Sequence, residues 1–226
     1  MAEIIVALDV AGGDAAERLL DDLPDVRWVK VGSVLMGREG PALLARLRAR
    51  GLSVFLDLKW HDIPNTVAGA VAAARDAGIA MATVHALGGV RMMAAAAEAA
   101  GDVAIVGVTV LTSHDAAGYD RAIGRSGTDL AAEVVRLARE AISAGLSGIV
   151  CSPRELRAVR PVAGPGKRLV VPGIRSAGEA AGDQVRTATP AEASAAGATH
   201  LVVGRPIIGA ENPAAAFREL RRQSAG

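Results

Sequence analysis

Residues 57–66 read Asp-Leu-Lys-Trp-His-Asp-Ile-Pro-Asn-Thr and place two carboxylates and one ammonium within six positions. The run ahead of them, Leu52-Ser53-Val54-Phe55-Leu56, has the apolar pattern of a buried strand. Side chains alternate along a strand, so Asp57 and Lys59 share one face and Leu58 takes the other. A buried charge is expensive unless it is paired. Asp57, Lys59 and Asp62 at the mouth of a core strand therefore suggest proton transfer or electrostatic catalysis. The plain alternative is a salt-bridged end that only stops the strand.

Other apolar runs end in the same way. The first ends in Asp9, and the second carries Lys30 in Trp28-Val29-Lys30-Val31-Gly32. The fourth ends in His85, and the fifth leads to Thr109 and Thr112. The seventh runs into Pro172-Gly173-Ile174-Arg175 and the eighth into Gly204-Arg205. Asp9, Lys30, Asp57, Lys59 and Asp62 make a near-neutral set, two lysines among three aspartates, that can stay ionised in a dry site. Arg205 follows a glycine where backbone can approach a ligand. Arg175 and Gln184 belong to a loop, 173–187, rich in Gly, Ser and Arg. A phosphate would account for an arginine, an amide and exposed backbone N–H groups together. Asp57, His61, Asp62 and His85 are metal-ligand types, but Lys30 and Lys59 would compete with a cation, and no metal is expected. His61 reads as a capping or packing residue, and His114 and His200 as surface or strand-flank residues.

Positioning these groups requires a repeated unit. Strand candidates are Ile4–Leu8, Trp28–Val31, Val54–Leu58, Met81–His85, Ala104–Thr109, Gly148–Cys151, Leu169–Val171 and Leu201–Val203. Helix candidates between them lie near Ala15–Leu23, Pro41–Arg50, Pro64–Asp76, Val90–Ala100, Thr128–Ala144, Pro153–Val159, Pro190–Ala196 and Pro213–Arg222. Pro41, Pro64, Pro153, Pro190 and Pro213 stand where helices start, and Gly51, Gly78, Gly101, Gly145 and Gly197 stand where they stop. About eight β-then-α units in 226 residues suggest one (β/α)₈ barrel domain over residues 1–226. In such barrels the site lies at the C-terminal ends of the strands, where the polar residues above converge. No Gly-x-Gly-x-x-Gly follows the first strand, which weakens a dinucleotide-binding reading. Gly164-Pro165-Gly166-Lys167 has the wrong spacing for a P-loop and reads as a turn.

Composition narrows the partners. Net charge is +1, with 25 basic and 24 acidic residues, and aromatics are 2%. Neither nucleic acid nor a membrane surface is suggested. The single cysteine, Cys151, excludes an intrachain disulfide, fits a reducing cytoplasm and reads as a small buried hydrophobe. Ile4–Leu8 is too short for a signal-peptide core or a membrane span.

The 57–66 segment resembles the signature of the orotidine 5′-phosphate decarboxylase family. The resemblance continues through Ala7-Leu8-Asp9, Val29-Lys30-Val31-Gly32, Val84-His85-Ala86, Thr109-Val110-Leu111-Thr112-Ser113, Pro172-Gly173-Ile174-Arg175, Asp183-Gln184 and Val203-Gly204-Arg205. Trp60 is a less usual filler and should point away from Lys59. The resemblance implies a decarboxylase of pyrimidine nucleotide synthesis that uses neither metal nor organic cofactor. It implies Lys59 as proton donor to C6 of the pyrimidine and Asp57 facing the departing carboxylate. Lys30 and Asp62 would complete the charge network, with Asp62 and Thr66 supplied by the partner of a homodimer with shared sites. Asp9 and Lys30 would hold ribose hydroxyls, and Thr112 would sit near the base. Arg175, Gln184, Gly204 and Arg205 would close the phosphate end. Hexulose-phosphate synthases and ketogulonate-phosphate decarboxylases also carry Asp-x-Lys-x-x-Asp but use magnesium. The His-Asp-Ile-Pro-Asn-Thr continuation argues against them. A non-catalytic phosphate-ligand binder on the same barrel is disfavoured by the full set of charged rim residues.

Overall fold

The computed structural model describes residues 2–175 and 186–225. Its strands are β1 (Glu3–Ala7), β2 (Trp28–Gly32), β3 (Ser53–Trp60), β4 (Met81–His85), β5 (Ala104–Val108), β6 (Gly148–Val150), β7 (Arg168–Val171) and β8 (His200–Val203). All neighbours pair in parallel and in sequence order, and β1 closes on β8 through the Ile4–Leu201 and Val6–Val203 pairs. The helices are α1 (Gly13–Asp21), α2 (Ser33–Glu39), α3 (Pro41–Ala49), α4 (Pro64–Asp76), α5 (Gly89–Ala99), α6 (Ala116–Ile123), α7 (Leu130–Ser143), α8 (Leu156–Ala163), α9 (Pro190–Ala195), α10 (Arg205–Ile208) and α11 (Pro213–Gln223). The expected (β/α)₈ barrel is what forms.

Alternation along the strands builds two apolar layers. Ile5, Ala7, Phe55, Met81, Val106, Val170 and Val202 fill the barrel interior. The intervening residues, such as Val6, Val31, Val54 and Leu56, face the helices. Helix α7 buries Val134, Leu137, Ala138 and Ala141, the i, i+3, i+4, i+7 stripe of a helix lying on a sheet. Each fully buried side chain of the size of Phe55 or Met81 contributes about 1.5–3 kcal/mol. Trp60 packs into the helix-facing layer, away from the interior.

Helix ends follow the local chemistry. Asp129 caps α7 by accepting from the Ala131 and Ala132 N–H groups at 3.0 and 3.1 Å. Thr189 and Glu192 form a reciprocal capping box on α9, which fixes where the chain re-enters the barrel before β8. The five glycines expected to stop helices all have positive φ, from 54° to 99°. Three short helices, α2, α6 and α10, are not expected from periodicity. Each has too few turns to show a stripe. Pro153 opens a single 3₁₀ turn rather than α8 itself, and α8 runs past the expected Val159 to Ala163 with Pro161 inside it.

Two irregularities interrupt the repeat. Between β3 and β4 the register breaks: Leu56 pairs with Ala82, but Trp60 pairs with Val84. Residues 57–59 therefore stand opposite Thr83 alone. At the other end of the barrel Trp28 and His200 meet edge to face, with ring centroids 5.4 Å apart. Burial lowers the His200 imidazole to about 4, so it is neutral there.

Candidate active site

A cavity of about 560 Å³ opens at the C-terminal ends of the strands. Asp9, Lys30, Asp57, Lys59, Thr112, Arg175, Gly204 and Arg205 line it. Eight of the residues expected at the site are thus gathered around one space. Ala7, Phe55, Val108 and Val202 form its apolar floor, the top of the interior layer.

The charged side is an alternating chain. Lys30 Nζ donates to Asp9 Oδ1 at 3.0 Å and lies 3.9 Å from Asp57 Oδ2. Lys59 Nζ donates to the same Asp57 oxygen at 2.9 Å. Opposite charges at such distances attract by on the order of 5 kcal/mol at an effective dielectric constant of about 20, which offsets desolvation. Asp57 is 14% exposed and Lys59 39%, so the carboxylate is sunk while the ammonium reaches into the cavity. Gly32 makes room for this set: a Cβ there would lie 3.2 Å from Lys30 Nζ.

The register break falls where the strand presents Asp57 and Lys59. Lys59 has φ of 52°, a left-handed backbone conformation that costs a non-glycine residue about 1 kcal/mol or more. Its N–H donates to Thr83 Oγ1 at 2.8 Å, and that hydroxyl donates to Asp57 Oδ1 at 3.1 Å. Thr83 is completely buried. Two residues on, His85 accepts from the Leu87 N–H through Nδ1 at 3.3 Å and stacks on His61 with centroids 5.5 Å apart. Burial, with help from His61, Lys59 and His114, lowers His85 to about 4. His61 thus packs, as expected of it, against a neutral imidazole.

Arg205 begins α10, and Arg175 is buried with Nη1 donating to the Ile174 carbonyl at 2.7 Å. A Cβ at Gly204 would lie 3.6 Å from Asp9 Oδ2, so the ends of β8 and β1 are close neighbours. Beneath Thr112 lies a buried ion pair that the sequence does not lead one to expect. Arg186 donates to Glu155 Oε1 at 2.6 Å and to the Leu111 carbonyl at 2.9 Å, and Glu155 also accepts from Ser152. Thr83 escapes sequence reasoning as well. Its only signal is parity: Met81, Thr83 and His85 share the inward face of β4, where a hydroxyl has to find a partner.

Two expected residues are not in the cavity. Asp62 is exposed and accepts from the Ile63 N–H at 2.6 Å, and Thr66 is exposed on α4. Gln184 lies outside the described residues. Among the described residues no cluster of three or more His, Cys, Asp or Glu side chains is gathered as a metal-ligand set. Cys151 lies at the cavity wall with its side chain buried and its thiol pushed up to about 12, so it stays protonated. No helix among the described residues is long and apolar enough to cross a membrane.

Residues 2–220 match the model of the orotidine 5′-phosphate decarboxylase / HUMPS family. The chain belongs to this family. It is 56% identical over 218 residues to the orotidine 5′-phosphate decarboxylase of Halorhodospira halophila, covering 94% of this chain and 92% of that one. It is 54% identical to the protein of the same name from Anaeromyxobacter sp. strain K, with 96% of each chain covered. Among solved structures, the orotidine 5′-phosphate decarboxylase of Lactobacillus acidophilus superposes with a TM-score of 0.88 at 34% identity over the whole of both chains.

Proposed function

We propose that this chain decarboxylates orotidine 5′-phosphate to uridine 5′-phosphate and CO₂, without metal or organic cofactor. The observation that carries this reading is the unbroken chain Asp9–Lys30–Asp57–Lys59 along the cavity wall. Breaking the bond from C6 to its carboxylate leaves the electron pair in an in-plane orbital of C6, with little resonance to spread it. CO₂ departs, the Lys59 ammonium gives a proton to C6, and water restores the proton to Lys59. Lys59 is fixed before the reaction begins, so its charge stabilises the developing carbanion with no reorganisation. Asp57 faces the departing carboxylate and lies between the Lys30 and Lys59 ammonium groups. Asp9 and Lys30 bind ribose hydroxyls, and Thr112 lies by the base. Arg175, Gln184, Gly204 and Arg205 take the phosphate, whose binding energy helps hold the base over Lys59.

The test is the loss of absorbance of orotidine 5′-phosphate, with and without EDTA. Turnover unaffected by EDTA is the expected result. Absence of turnover on this substrate, or EDTA-sensitive activity restored by magnesium, would replace this reading with that of a magnesium-dependent relative.

The reading includes a two-fold dimer in which Asp62 and Thr66 complete the neighbour's site. In support, both residues stand outside their own cavity. Val34, Ile63, Leu87 and Val90, on the segments after β2, β3 and β4, are large apolar side chains left exposed at the same end of the barrel. Lys59→Ala and Asp62→Ala chains are each expected to form nearly inactive homodimers. Unfolded, mixed in equal amounts and refolded, they give half mixed dimers, each with one intact site, and about a quarter of wild-type activity. Mixed dimers with no recovered activity would show that each chain builds its site alone.

A further inference from the structure

We propose that Thr83 is a positioning residue for the reacting pair, the group that holds the Lys59 ammonium and the Asp57 carboxylate in register; this rests on the assignment of those two residues above. Ser53 gives its N–H to the Arg27 carbonyl on the β2 side and Val54 accepts from Ala80 on the β4 side, so regular alternation would turn the Lys59 N–H towards β2. The register break sets residues 57–59 against Thr83 alone, and the Lys59 N–H meets a side chain of β4 instead. Thr83 Oγ1 accepts from that N–H and gives its single proton to Asp57 Oδ1. Asp57 Oδ2 is taken by Lys59 Nζ. A closed ring results: Lys59 backbone, Thr83 hydroxyl, Asp57 carboxylate, Lys59 ammonium. Both ends of the lysine side chain are thereby referred to one buried oxygen.

Three features favour a positioning role over space filling. Lys59 occupies a left-handed conformation that its neighbours must hold in place, and the Thr83 hydrogen bond is made to its own N–H. The Asp57 carboxylate has both oxygens committed, so it cannot rotate away from Lys59. Thr83 is β-branched, which restricts its hydroxyl to few orientations, and it is sealed from solvent. It therefore acts through Lys59 and Asp57, with no contact of its own to substrate.

Thr83→Val keeps the shape and removes the hydroxyl, and Thr83→Ser keeps the hydroxyl and removes the methyl. Thr83→Val is expected to lower kcat by roughly 10–100-fold, the scale of a small displacement of a reacting group, with KM within about threefold of wild type. Thr83→Ser is expected to retain at least about a third of wild-type kcat even if its melting temperature falls below that of Thr83→Val. That inversion, activity following the hydroxyl and stability following the volume, is what simple packing would not give. Equal kcat for Thr83→Val and wild type, or equal loss in the Ser and Val variants, overturns the inference. Should Thr83→Val not fold, Thr83→Ala assayed well below its melting temperature takes its place, and an Ala variant as active as Ser overturns it. Lys59→Ala is run beside them. If Lys59→Ala keeps its turnover, the assignment of Lys59 fails and the inference falls with it. If Lys59→Ala is inactive while Thr83→Val is fully active, the assignment stands and only the role of Thr83 fails.

Discussion

Lys59 and Arg186 are both cations at the same end of the barrel, each within 3 Å of a carboxylate. Lys59 Nζ is 2.9 Å from Asp57, and Arg186 Nη1 is 2.6 Å from Glu155. Their surroundings are opposite. Arg186 is 4% exposed, and it gives further hydrogen bonds to the carbonyls of Val110 and Leu111, which join the segment before α9 to the one after β5. Lys59 stands on a strained backbone and reaches into the cavity. A dry pair sealed from solvent stabilises the fold of the rim. A pair with donors still facing open space can act on something else. Distance alone does not separate the two, whereas burial and backbone strain do.

Either cation can be removed to test this contrast. Lys59→Ala is expected to lower kcat by at least about 100-fold, the worth of a positioned acid, while the melting temperature changes little. A variant keeping more than about a tenth of wild-type kcat would remove Lys59 from the role of proton donor. Arg186→Leu is expected to destabilise the fold by about 3–5 kcal/mol in urea denaturation, because Glu155 is left buried and unpaired. Combining it with Glu155→Leu should recover most of that loss. If the single variant melted like wild type, the rim pair would not be structural.

Arg205→Ala probes a cavity-lining cation from the ligand's side. It should weaken uridine 5′-phosphate by about 2–4 kcal/mol and leave uridine nearly unaffected, as titration calorimetry would show. Equal losses for both ligands would place Arg205 elsewhere than at the phosphate.

His200 offers the smallest effect, at the far end of the barrel. Its folded-state value of about 4 lies below the ordinary 6.5, so the folded chain binds fewer protons than the unfolded one between those limits. The stability that comes with a neutral His200 is present above pH 6.5 and is lost as pH falls towards 4. His85 titrates in the same direction. His200→Gln should flatten the acid decline by on the order of 2 kcal/mol with kcat at neutral pH unchanged. An unchanged slope would mean that the acid loss belongs to other groups.

Much of the fold was legible because parallel barrels repeat one unit. Short β-branched runs, helix-starting prolines and helix-stopping glycines recur at the spacing of a β-then-α repeat. The charged site was legible for a related reason. Asp9, Lys30, Asp57 and Lys59 end or interrupt apolar runs, where a charge has no place unless it is used. The short helices α2, α6 and α10 were not legible, having too little length to show a period. Nor was the Arg186–Glu155 pair, whose members are 31 residues apart and look in sequence like ordinary surface charges.

Local patterns in the chain settle the order of strands and helices through alternation and caps, and the residue types at each strand end through charges bounded by apolar runs. The family is legible from the resemblance of the 57–66 segment and its companion motifs. Packing in three dimensions selects which of the residues meet. It draws eight of the expected site residues around one cavity, leaves Asp62 and Thr66 outside it, and buries Thr83 between Lys59 and Asp57. A lone threonine in Met81-Ala82-Thr83-Val84-His85 carries no sign of this. Its partners are 24 and 26 residues away, and they reach it only because β3 slips its register against β4. The slip is a property of two strands packed together, so neither strand's sequence contains it.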